Sequence, residues 1–150
     1  MNRYLNQFNR AFTGGLMAFG VLLIASKAAM AVVLFLGVDR QAELINNDTT
    51  AIVTGAVACD VGQMYNVSAV VVQNQGALLA NVIGAGQLRP ILDFLDCTGS
   101  PIPFAVPVQV LIPASGTFVE GQAEVSVSAL ATDATGSDTQ TVNTKIQLSN

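Results

Sequence analysis

The chain has no histidine and no tryptophan. The first absence removes Ser-His and Cys-His catalysis and every His-ligated zinc site. The second weakens a sugar-binding reading, because saccharide platforms use exposed aromatic faces and the chain beyond residue 48 has only Tyr65, Phe94, Phe104 and Phe118 to offer. No Gly-x-Ser-x-Gly elbow or phosphate loop occurs. A Ser-Lys pair would have to use Lys145, which falls on the outward parity of the last strand, where a lysine keeps its proton. The sequence therefore reads as non-enzymatic, with no cofactor expected.

Charge is also scarce, at 11% of residues, and cations are scarcest. Beyond residue 31 only Arg40, Arg89 and Lys145 face ten acids, a net charge of −7. Nucleic-acid binding needs several Lys or Arg contacts to phosphate, so that partner class is excluded. Hydrophobic residues make up 51%, which argues equally against a disordered chain. At 150 residues there is room for one domain and an appendage.

The N-terminus carries the plan of a secretory signal. Arg3 and Arg10 precede an uncharged apolar run, Ala11 to Ser26, and Ala29-Met30-Ala31 supplies the small residues a signal peptidase fits, placing cleavage after Ala31. The alternative is a retained anchor. A helix over Ala11 to Ser26 would span about 24 Å against a hydrocarbon core of about 30 Å. Extension to Val38 gives the length but encloses Lys27, at about 2.5 to 3.5 kcal/mol on the insertion scale. Either reading exports the body. The chain thus divides into residues 1–31 as signal peptide (or 11–38 as membrane anchor), 32–48 as apolar arm and connector, and 49–150 as the folded domain.

Val32, Val33, Leu34, Phe35, Leu36 and Val38 form the arm, a continuous apolar run suited to a strand buried on both faces, in its own sheet or a neighbour's. Asp39 to Asn47 reads as a polar connector with a short helical turn. Downstream, apolar residues recur with period two. Ala123, Val125, Val127, Ala129 and Ala131 alternate with mostly polar residues, as do Val142, Thr144, Ile146 and Leu148, with a hairpin turn at Asp133 to Asp138 between them. Ile102, Phe104, Val106, Val108, Val110 and Ile112 form another inward series, and Pro103 and Pro107, lacking a donor N–H, predict that it lies at a sheet edge. Ile52–Cys59, Met64–Gln73 and Leu78–Ala85 complete the set. Gly84, Gly86 and Pro90 interrupt the pattern, with Ile91–Leu95 as a bent continuation or a separate short strand. The expected fold is all-β, an antiparallel immunoglobulin-like sandwich of about seven strands preceded by an N-terminal hydrophobic helix.

Cys59 and Cys97 are the only cysteines, and two cysteines in an exported chain most often pair. Thr54-Gly55-Ala56-Val57-Ala58-Cys59-Asp60, Tyr65 to Gln73, Cys97-Thr98-Gly99-Ser100-Pro101 and Phe118 to Ala131 together resemble small secreted bacterial domains with an immunoglobulin-like sandwich and one disulfide. The resemblance covers roughly Thr49 to Leu148, departs at Leu88 to Leu95, and implies fold and compartment but no site.

Asp133 and Asp138 on one loop are calcium candidates, and Asp93 and Asp96 lie near each other in sequence. Turn chemistry accounts for the same aspartates without a cation. Asn47-Asp48-Thr49 and Asn66-Val67-Ser68 match the short glycosylation sequon. Three roles fit these features. The leading one is an exported structural or surface protein that self-associates by adding the arm 32–38 to a neighbour's sheet. The second is a secreted adhesion or ligand-binding module meeting another surface protein. The third is a membrane-anchored subunit of a larger assembly, with membrane contact only through 11–38.

Overall fold

A computed structural model describes residues 31–76, 81–90, 93–112 and 116–150. The expected N-terminal hydrophobic helix lies outside the described residues. The strands are β1 (Val33–Ile45), β2 (Thr50–Cys59), β3 (Met64–Gln73), β4 (Val82–Gln87), β5 (Leu95–Asp96), β6 (Ile102–Val110), β7 (Gly121–Thr132) and β8 (Ser137–Ser149).

The all-β class holds, but the sandwich does not. The sheet runs β4-β6-β2-β1-β8-β7-β3, and β4 pairs back to β3, so seven strands close into a barrel and the two-residue β5 appends to β3. Nor is it purely antiparallel, because β1 and β8 run parallel. Period-two burial cannot separate the two architectures, since sandwich and barrel walls both alternate in and out. Closure decides between them, and it depends on long-range pairing.

The glycines of β4 show how the ring shuts. A Cβ on Gly86 would lie 2.0 Å from the Pro107 carbonyl oxygen, and one on Gly84 2.7 Å from the Phe118 ring and 2.8 Å from Val108. Only bare backbone fits between β3 and β6 at this corner, so the glycines that interrupt the sequence pattern sit inside a strand.

β6 is likewise no edge strand. It pairs with β2 from Ile102 to Gln109 and with β4 through Gln109 and Val110. The β4 ladder ends before Pro107, which has no N–H to donate. The proline signal is real on one side of the strand and masked on the other.

The interior is filled by Val53 and Val57 of β2, by Tyr65, Val67 and Val71 of β3 and, on the expected parities, by Phe104, Val106 and Val108 of β6, Val125 and Val127 of β7, and Ile146 and Leu148 of β8. Ile112, expected inward, is exposed beyond the end of β6. Small residues at Ala42, Ala69, Ala123, Ala129 and Ala131 keep the bore narrow enough for side chains alone to fill it.

The polar connector expected at Asp39–Asn47 is mostly strand, because β1 continues to Ile45. It ends in Asn46, Asn47 and Asp48, all left-handed with φ of 55°, 55° and 62°. Asn and Asp tolerate that region best among residues with a side chain. The turn is held by Thr49 Oγ1 donating to the Asn46 carbonyl at 2.8 Å and by Phe118 N donating to the Asp48 carbonyl at 2.9 Å.

Candidate assembly site

The arm forms the first half of β1, and two irregularities give that half its character. One lies between Val33 and Phe35, which face Cys59 and Ala58 of β2. It breaks the alternation, so Val33 and Leu36 are buried while Leu34 and Phe35 stand 52% and 48% exposed. Within its own barrel the arm is therefore buried on one face only, because a barrel wall has a single inner face and no described residue covers these two side chains. The Phe35 ring instead lies against its own strand, where a Cβ on Gly37 would come within 2.7 Å of Cζ. Val32 is exposed just before the strand, and Val38 is half-buried against the core.

The second irregularity lies between Val38 and Ala42, opposite Gly55 and Val53, so β1 spends two more residues than β2 over this step. Asp39 is tied down there by Thr54 Oγ1, which donates to Asp39 Oδ2 at 2.7 Å. After the bulge β1 joins β8, but the ladder is confined to Gln41–Glu43 against Gln147–Ser149. Among the described residues, the arm itself pairs with β2 alone.

At its start the arm is held by side chains. Val33 N donates to Asp138 Oδ2 at 2.9 Å, and Val32 N donates to Gln63 Oε1 at 3.2 Å. Gln63 is buried and fixed through its own backbone: its N–H donates to the Asp60 carbonyl at 3.2 Å, and its carbonyl accepts Cys97 N at 2.9 Å. Cys97 is disulfide-bonded to Cys59, with the Cα atoms 5.5 Å apart, and Cys59 is the β2 partner of Val33. The disulfide thus braces this clamp from both sides.

The paired aspartates of the β7–β8 hairpin have different duties. Asp133 Oδ1 accepts the Thr135 hydroxyl, Thr135 N at 2.6 Å and Gly136 N at 3.1 Å, which closes the turn. These bonds, the Thr135 hydroxyl foremost, hold its carboxyl below the usual carboxylate range. Asp138 serves the arm. Among the described residues, no group of three or more His, Cys, Asp or Glu is placed to hold a metal ion. Asp93 pairs with Arg89 across 3.9 Å on the surface.

The two sequons also part company. Asn66 is occupied, its Nδ2 donating to the Arg89 carbonyl at 3.3 Å and its Oδ1 accepting Val67 N and Arg89 N, whereas Asn47 is exposed on the left-handed turn. On the outer wall, Val70, Val72, Glu124, Ser126, Asn143 and Lys145 line an open groove of about 400 Å³. Glu124 and Lys145 are cross-strand partners, so the groove brings no net charge to a ligand.

Gln63 was not legible as a site residue. It and Asp138 lie 31 and 105 positions from the amides they hold, and neither stands in a motif.

No protein-family model and no curated protein matches the chain. Among solved structures, it is similar to the crystal structure of AggA, the major subunit of aggregative adherence fimbriae type I from Escherichia coli, at 13% identity and a TM-score of 0.42, over 79% of this chain and 94% of that one.

Proposed function

We propose that the protein is an exported, non-enzymatic structural subunit of a surface assembly that associates with its own copies by exchanging the first half of β1. One observation carries the reading: Val33–Val38 is an apolar strand segment that, among the described residues, is tied to its β8 side by one carboxylate, where a β8 ladder would otherwise run. A segment held this way leaves its barrel at the loss of contacts that the same segment from a second copy restores, as strand addition and domain swapping require. The two surplus residues after Val38 supply slack for the crossing. The Cys59–Cys97 disulfide and the N-terminal signal pattern both belong outside a reducing cytosol.

The test is imaging and light scattering of the natively exported chain over a range of concentrations, beside a chain whose β1 is cross-linked to β2 by a second disulfide at Leu36→Cys and Val57→Cys. These positions face each other in the β1–β2 register. The unmodified chain is expected to form filaments or rings and the locked chain to remain monomeric. Equal assembly by both, or monomers throughout, would sink the proposal.

A further inference from the structure

The clamp at the head of β1 holds two consecutive amides by side-chain oxygens, one of them on a buried glutamine and the other on a carboxylate. Resting on the reading that the signal is removed after Ala31, we infer that this clamp is a receptor for the chain's own α-ammonium. Hydrolysis breaks the bond between the Ala31 carbonyl carbon and Val32 N. Water gives its hydroxyl to the Ala31 carboxyl and a proton to the amine, with a signal peptidase as the catalyst. An α-amine has a pKa of about 7.7 to 8.0, so at neutral pH it takes up a further proton.

Val32 N then changes from an amide into an ammonium with three donors and a full positive charge. It lies 3.2 Å from Gln63 Oε1. Successive backbone nitrogens are separated by about 3.5 Å, and Val33 N is 2.9 Å from Asp138 Oδ2, so the charge stands within about 6 Å of the carboxylate. Gln63 is kept in place by its backbone bonds beside the disulfide, and Asp138 by the pairing of β8 with β7, whether or not the amine is present. Ala31 is itself buried in the folded chain, so processing must come before β1 docks. The clamp therefore reads whether the chain has been cut, and holds the arm more firmly once it has.

The experiment exports the full chain from a bacterial host and measures the intact mass of the product, which should begin at Val32. Thermal unfolding is then compared for that product, for Asp138→Asn, for a chain with one serine inserted between Ala31 and Val32, and for the combination. Each single change should lower Tm by several degrees, and the combination should fall no further than the worse of the two. Fully additive losses would mean that Asp138 merely holds the Val33 amide, and would overturn the inference. A second readout is independent of folding yield: acetylation of the terminal amine at neutral pH should be about tenfold slower in the processed chain than in its Asp138→Asn variant, and equal rates overturn it. A product that does not begin at Val32 also overturns it, and does so without touching the assembly proposal, which imaging decides.

Discussion

Single side chains in this protein do the work that backbone ladders do elsewhere. Asp133 closes one hairpin with three accepted hydrogen bonds, and Gln73 ties the segment before β7 to β3 by exchanging two bonds with the Val119 backbone, at 2.7 and 2.9 Å. For Asp133 the consequence is a pH dependence of known sign. Its carboxyl is held below the ordinary value of about 3.9, so the contribution is fully present above that value and is lost as pH falls through the lower folded one. The Tm difference between the native chain and Asp133→Asn should be constant above about pH 5 and shrink below about pH 4. A difference that grows on acidification would contradict the bonding described. The turn role of Asp133 could be read from the Asp-x-Thr-Gly spacing, whereas the service of Asp138 to Val33 could not, because the partner is 105 residues away.

At the scale of elements, strand existence was largely legible and strand partnership was not. Met64–Gln73 has the bounds its sequence predicts, because its inner and outer positions alternate without interruption. β1 runs past the Val38 its sequence predicts because its bulge falls on Asp39, Arg40 and Gln41, where hydrophilic residues break the apolar run without ending the strand. β4 was blurred by Gly84 and Gly86, which act as strand residues only because β6 approaches so closely. The Cys59–Cys97 link binds the β2 end to the loop before β6 across a separation of 38 residues. Replacing both cysteines by alanine should cost about 2 to 5 kcal/mol in chemical denaturation. It should also loosen the head of β1 first, seen as faster amide exchange at Val33 than in the rest of the strand. Uniform exchange along β1 would detach the disulfide from the clamp.

At the scale of the whole molecule, closure into a barrel is the property that composition and periodicity could not supply, since it rests on β4 meeting both β3 and β6. Gly86→Ala tests that corner. Its Cβ would press on the backbone of Pro107, which cannot yield as a flexible side chain would. A loss of about 1 to 3 kcal/mol is expected from overpacking. A chain that tolerates the methyl at full stability would mean that the wall is looser there than described.

The parallel course of β1 and β8 also sets the poles of the particle. Thirteen residues at about 3.3 Å each, inclined by about 40° to the axis, separate Val33 from the far rim by about 30 Å. Ser149 pairs near that rim, beside Glu43. A tag or cargo joined after Asn150 would accordingly be displayed on the side turned away from the head of β1.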